Sequence, residues 1–226
     1  MPSSAVAAPD RPVIIDPAHD LVGLRRSSLQ TIFAPKSVAV VGASERPGSV
    51  GFTVLTNLTG SSFGGPVWPV NPKRPTVLGL PAYKSIAELP GVPELIVVTT
   101  PAATVPGIIQ EAVAAGVPSA IVISAGFKEV GESGKELERQ IAATIHGKMR
   151  LIGPNCLGIM NPVGGLNATF AKAMVPAGRL AFISQSGALG TAILDWCIRE
   201  RVGLSGFVSA GSMLDVTFGE LIDHYG

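Results

Sequence analysis

Two short runs in this chain have the residue types and spacing to hold an anion. The first is Gly42-Ala-Ser44 followed by Gly48-Ser-Val-Gly51, and the second is Ser184-Gln-Ser-Gly187. Each follows an apolar stretch and precedes a helical pattern, giving the order strand, turn, helix N-terminus. The first amides of a helix have no intrahelical acceptor and sit at the positive end of its dipole, so each turn suits phosphate or carboxylate oxygens. Gly42 permits a tight turn, and Gly48 and Gly51 permit close approach of ligand and strand. A cation completes the pattern, because Val70-Asn-Pro-Lys73 ends the second apolar run. NAD sites place a carboxylate in that region for the ribose hydroxyls. An ammonium there favours a phosphorylated ribose instead. Coenzyme A, with its 3′-phosphate, and NADP both meet that condition. Arg74 backs Lys73 in this reading; taken alone, the two read better as ordinary solvated turn charges, and it is the order strand, glycine loop, helix, strand, lysine that shifts the reading to binding.

The elements that must position these residues alternate. Ser28 caps a short helix, Leu29–Phe33, which ends before Pro35. Strands are expected at Ser37–Val41, across Gly64–Val70, at Leu95–Thr99 and Ala120–Ser124, and from Arg150. Helices are expected at Ser49–Leu58, Ala102–Ala115 and Glu132–His146. The strands are apolar on both faces, as a buried parallel sheet requires. The fold class is therefore α/β, a Rossmann-like doubly wound parallel sheet. After Ile152 the composition shifts to Gly, Pro and Asn, with a hairpin expected around Ile159–Leu166. The opening pattern then recurs as strand Arg179–Ile183, helix Ala188–Arg201, strand Gly206–Ser209 and a helix from Thr217. The expected organisation is a flexible tail over 1–27, a nucleotide-binding-type domain over 28–152, a connector over 153–178, and the start of a second α/β domain over 179–226.

Composition narrows the classes. Lysine and arginine number 17 against 16 acidic residues, a formal net charge of +1, which argues against a nucleic-acid surface. Hydrophobic residues make up 46%, enough for a sizeable core, while 27 glycines and 19 prolines fit many tight turns. Apolar stretches after Leu95 and Ala112 are broken by Pro101, Pro106, Gly116 and Pro118, too soon for a spanning helix. Met1–Asp20 lacks the apolar core of a signal peptide. Two cysteines, Cys156 and Cys197, form no disulfide framework, and a reducing cytoplasm is the simplest home. Both cysteines read as structural, Cys197 within an apolar helix and Cys156 without a histidine beside it.

Six blocks carry a family resemblance. Phe33-Ala-Pro-Lys-Ser-Val-Ala-Val-Val-Gly-Ala-Ser44 resembles the opening of NDP-forming acyl-CoA synthetases, a group that includes ADP-forming acetate–CoA ligase and is related to the succinyl-CoA ligase alpha subunit. Val70–Lys73, Val98-Thr-Thr-Pro101, Ser124-Ala-Gly-Phe127, Gly153-Pro-Asn-Cys-Leu-Gly158 and Ile183-Ser-Gln-Ser-Gly-Ala-Leu-Gly190 follow in the family's order. The resemblance runs from about Leu29 to the end of the sequence and implies a flavodoxin-like second domain. It implies a coenzyme A cradle of Gly42, Ala43, Ser44, Gly48, Ser49 and Gly51, with Lys73 on a CoA phosphate. Thr100 and Pro101, then Ser124, Ala125 and Gly126, would line the groove for adenine and pantetheine. Pro154 and Asn155 would lie near the thiol end. Ser184, Ser186 and Gly187 would form a second cradle, facing a phosphohistidine. Plainer readings stand beside these: Ser44 as a turn residue, Asn155 as a loop residue that satisfies backbone, Ser186 as a helix N-cap.

The implied reaction is acyl-CoA + ADP + phosphate ⇌ carboxylate + CoA + ATP, through an acyl phosphate and a phosphohistidine. The implied partners are an ATP-grasp domain or beta subunit and further copies of the chain; no metal, nucleic acid or membrane is implied. None of His19, His146 and His224 has the glycine setting of the family's phosphohistidine, and no catalytic residue is assigned. The loop after Gly211 reads Ser-Met-Leu-Asp215, where the family more often has asparagine directly after the glycine. The alternative from another class is a non-catalytic CoA-sensing module of a synthetase-like acetyltransferase; an NADP-dependent oxidoreductase domain comes behind it, because no acid/base pair is in sight.

Overall fold

Four-residue apolar strands dictate the first sheet. In the computed structural model, which describes residues 29–226, β1 (Val38–Val41), β5 (Leu95–Val98) and β6 (Ser119–Val122) are buried at every position. The expected tail and the Ser28 cap lie outside the described residues. With β2 (Val67–Val70) and β7 (Arg150–Ile152) these strands form a parallel sheet in the order β2-β1-β5-β6-β7. Pro69 is tolerated because β2 is an edge strand. The chain leaves β1 toward β2 on one side and toward β5 on the other. The β1/β5 boundary is thus a topological switch point, where ligands of doubly wound sheets bind.

Residue alternation sends the two faces of this sheet into separate cores. Val38, Val40, Leu95, Val97 and Ile121 pack against a short helix α1 (29–33) and against α2 (Val50–Gly60). Ala39, Val41, Ile96, Val98 and Val122 pack against α3 (Val105–Ala114) and α4 (Glu132–Ile145). The first turn of the expected Ala102 helix is a 3-10 turn, Ala102–Thr104, with Pro106 in the opening turn of α3 that follows. A small hairpin of β3 (Thr76–Val77) and β4 (Leu80–Pro81) was not foreseen; its turn places Leu78 at φ 50 and Gly79 at φ 78.

The glycine- and proline-rich stretch after Ile152 contains a β-hairpin, β8 (Gly158–Asn161) and β9 (Leu166–Thr169). That hairpin joins β10 (Ala177–Ser184) and β11 (Leu204–Ser209) in a second sheet of order β10-β11-β8-β9. β10 and β11 are parallel, and α5 (Gly187–Glu200) connects them. The last element is α6 (Phe218–Tyr225), opened by a Thr217–Glu220 capping box. The second sheet does not bury its residues alone, since its Ile159, Leu166, Ala168 and Val208, with Leu221 of α6, belong to the same apolar cluster as α2 and one face of the first sheet. A third cluster lies under α5 and contains Leu194, Cys197 and Phe207. No helix among the described residues is long and apolar enough to cross a membrane.

Candidate functional site

The first corner is built by close packing. Gly42 takes φ 92, and a Cβ on it would meet Thr99 Oγ1 at 2.8 Å. A Cβ on Gly51 would meet the Gly42 carbonyl oxygen at 2.1 Å, so the start of α2 is pressed onto the end of β1. Gly48, at φ 78, has open space where its side chain would be. Ser49 is the N-cap of α2; its Oγ accepts from Phe52 N–H at 3.3 Å and donates to the Arg46 carbonyl at 2.8 Å. Thr53 N–H is taken by the Ser49 carbonyl. The amides of Val50 and Gly51 are left without an acceptor among the described residues. Ser44 Oγ accepts from Arg46 N–H at 3.1 Å, which makes it a turn residue of the loop.

The backbone of Lys73 is tied to this corner through Asn71, a residue that sequence reasoning gave no role. Asn71 Nδ2 donates to the Ala43 carbonyl at 2.8 Å, and Asn71 Oδ1 accepts from Lys73 N–H at 2.8 Å. One side chain therefore ties the turn after β2 to the glycine loop. Arg74 does not reinforce Lys73 as the sequence suggested, because its guanidinium lies 2.5 Å from the carboxylate of Glu45 on the first loop. Lys73 is exposed and forms no ion pair among the described residues.

The second corner repeats the plan. Ser186 is the N-cap of α5, with its Oγ accepting from Leu189 N–H at 3.2 Å. Its own amide donates to Ser184 Oγ at 3.0 Å. Gly190 N–H goes to the Ser186 carbonyl. As at the first corner, two first-turn amides remain, here those of Gly187 and Ala188.

Between the corners lies a cleft of about 790 Å³. Val50 of the first corner and Ser186, Gly187 and Ala188 of the second line the same cavity, with Thr100, Pro101, Ser124, Ala125 and Asn155 between them. Gly42, Ala43, Ser44, Gly48, Ser49, Gly51, Lys73, Gly126, Pro154 and Ser184 do not line it. Gly126 N–H is already taken by Glu129 Oε1 at 2.6 Å. Burial would push the Glu129 carboxyl up, but hydrogen bonds from the backbone around Gly126 hold it below its ordinary value. Ser124 Oγ donates to the Thr100 carbonyl at 2.5 Å, and Thr104 Oγ1 donates to the Pro101 carbonyl at 2.7 Å, so that the Thr100 hydroxyl donates to Thr104 Oγ1 across 2.9 Å. Among the described residues, no lysine, arginine, aspartate or glutamate lines the cleft.

The loop that starts at Gly153 brings Asn155, Cys156 and Leu157 to the cleft. Gly153 takes φ 99, where a Cβ would strike the Val122 carbonyl at 2.4 Å, and the Gly153–Pro154 bond is cis. Asn155 N–H donates to the Ser124 carbonyl, while Ser212 and Leu214 donate to the carbonyls of Pro154 and Gly153. Gly211 is needed for that contact, since a Cβ there would lie 2.3 Å from the Pro154 carbonyl. Asp215, in the loop that departs from the family, accepts from Arg150 Nε at 2.9 Å and from Leu151 N–H at 2.8 Å, which makes it a structural anchor. Cys156 is buried, its Sγ donates to the Val122 carbonyl, and burial pushes its thiol up to about 12. A thiol so protonated is no nucleophile near neutral pH. No group of three or more potential metal ligands occurs among the described residues. The arrangement suits an elongated, uncharged arm between two anion seats.

Comparison with known proteins bears on that arm. The CoA binding domain family matches residues 36–162, and the succinyl-CoA ligase like flavodoxin domain matches residues 177–226. The alpha subunit of ADP-forming acetate–CoA ligase I from Pyrococcus furiosus is 40% identical over 203 residues, spanning 88% of this chain and 44% of that protein. The alpha subunit of ligase II from the same organism is 43% identical over 197 residues, spanning 87% and 43%. The structure of dinucleotide forming acetyl-coenzyme A synthetase 1 from Ca. Korarchaeum cryptofilum, in complex with phosphate and ADP, superposes with a TM-score of 0.83 at 39% identity, over 87% of this chain and 42% of that one. The chain thus spans less than half the length of these relatives.

Proposed function

The chain belongs to the CoA-binding part of the NDP-forming acyl-CoA synthetase family, and from that premise we propose that its cleft holds coenzyme A between the two helix starts. The observation that carries this is the shared cavity, with one wall from the α2 corner and another from the α5 corner. Coenzyme A fits that shape chemically. Its diphosphate needs amide donors such as those of Val50 and Gly51, with Gly48 leaving room for close approach. Its 3′-phosphate suits the ammonium of Lys73. Its uncharged pantetheine arm suits a cleft wall of Thr100, Pro101, Ser124 and Ala125.

Coenzyme A supplies the thiol on which an acyl group is carried. The chain's own part is to seat the phosphates, exclude bulk water from the arm, and present the amides of Gly187 and Ala188 to an oxyanion at the far end. In the whole protein we assign it the reaction acyl-CoA + ADP + phosphate ⇌ carboxylate + CoA + ATP, with an ATP-grasp domain or beta subunit as partner and the cytoplasm as its place. The names of the P. furiosus relatives support ADP as the nucleotide.

Isothermal titration of the 226-residue chain tests the binding role. Coenzyme A is expected to bind saturably at micromolar strength or weaker, and NADPH not to bind. Saturable NADPH binding with no heat from coenzyme A would replace this reading with the oxidoreductase one.

A further inference from the structure

One aromatic side chain in the cleft belongs to none of the three apolar clusters. Phe170 is 39% exposed, although it follows a strand whose four residues are all buried. Its neighbours are held unusually firmly. A single amide, Asn57 Nδ2 on α2, donates to the carbonyls on both sides of it, Thr169 at 2.9 Å and Ala171 at 2.8 Å. Ala171 N–H donates to Thr169 Oγ1 at 3.1 Å, and Thr169 Oγ1 donates to Asn167 Oδ1 at 2.7 Å, with both side chains buried. Phe170 N–H points to the Leu157 carbonyl. Buried, satisfied polar networks of this kind hold a backbone in one geometry. Here they clamp the residue that carries an exposed ring beside Cys156, Leu157 and the first turn of α5.

We infer that Phe170 is a specificity residue, a fixed wall that limits the size of the acyl group at the thioester end of the cleft. The inference rests on the reading of the cleft as a coenzyme A site. The chemistry of the group follows from the lining. Among the described residues no charged side chain faces the cleft to pair a second carboxylate, and an unpaired charge is expensive to desolvate. Aliphatic walls from Ile123, Leu157 and Ala188 suit a small uncharged acyl chain packed against the ring. Asn57 is a positioning residue, acting through the carbonyls it holds.

The test is isothermal titration of the 226-residue chain with coenzyme A, acetyl-CoA and benzoyl-CoA, on wild type, Phe170→Ala and Phe170→Leu. Wild type should bind the first two alike and benzoyl-CoA about tenfold or more weakly, the penalty of forcing an extra ring into a filled space. Either substitution should bring benzoyl-CoA to within about threefold of coenzyme A measured on the same variant. Coenzyme A binding that stays intact while the benzoyl penalty persists in both variants would overturn the wall. Failure of wild type to bind coenzyme A at all would remove the underlying reading, and the wall with it. Phe170→Leu guards against loss of folding in the alanine variant.

Discussion

Replacing Gly51 by alanine tests whether the first corner needs its close packing. The added Cβ would sit 2.1 Å from the Gly42 carbonyl oxygen and 3.0 Å from Thr99 Oγ1. Ordinary contact begins near 3.4 Å, so the start of α2 must withdraw from β1 by about 1.3 Å. Overpacking of this kind costs about 1–3 kcal/mol. Alanine returns up to about 1 kcal/mol of helix propensity. The net loss is about 1–2 kcal/mol, and it appears as a lower urea midpoint at unchanged m-value. The same shift carries the amides of Val50 and Gly51 away from a phosphate, so affinity for coenzyme A should fall about tenfold, as when one hydrogen bond to a charged group is lost. Two controls separate the causes. Gly60→Ala meets open space at ordinary φ and should be neutral or slightly stabilising. Gly48→Ala meets open space at φ 78 and should cost about 1 kcal/mol from backbone strain alone. A Gly51→Ala protein with wild-type urea midpoint and wild-type affinity would refute the packing argument.

Lys73→Ala should weaken coenzyme A by about 1.5–3 kcal/mol and leave 3′-dephospho-CoA unaffected, by isothermal titration; equal losses for both ligands would remove the proposed phosphate contact. Asn57→Ala leaves two backbone carbonyls without their donor and should cost about 2 kcal/mol in urea unfolding, and no change would show that water replaces the amide. Glu220 is pushed up by burial, yet hydrogen bonds from Thr217 and the Arg150 guanidinium at 2.8 Å hold its carboxyl below the ordinary value. A lowered native value means its stabilisation is full above the ordinary carboxylate range and is lost as pH falls through the lowered value; Glu220→Gln should flatten that acid limb of the stability curve, and an unchanged slope would place the acid sensitivity elsewhere. Cys156 should resist iodoacetamide at pH 8 in the native chain and react once urea unfolds it, as mass spectrometry would show; rapid native alkylation would contradict its burial.

The parts of this molecule legible in the sequence were those with a local physical signal. Apolar runs such as Leu95–Val98 and Ala120–Val122 predict strands because burial on both faces leaves no polar position to confuse the period. Ser186 was visible as a helix cap for the same local reason, and Ser49, read as the first residue of its helix, proves to be the N-cap. What escaped depends on residues distant in sequence. Asn57 binds carbonyls more than a hundred positions away, and the only hint was an asparagine, a poor helix former, inside a helix. The Arg74–Glu45 pair spans two loops and cancels a cation that seemed to support Lys73. Phe170 looked like one more apolar residue, because a backbone clamp from another element cannot be read from its neighbours. The merging of the second sheet into the first core was equally hidden, since periodicity reports that a face is buried and not what buries it.

The central claim is that one ligand bridges both helix starts, and a crystal structure of the chain with bound coenzyme A tests it most directly. The account predicts the diphosphate at the amides of Val50 and Gly51, the 3′-phosphate beside Lys73, and the thiol end near Asn155 and the first turn of α5. Coenzyme A bound outside the cleft, with both sets of amides facing solvent, would contradict it.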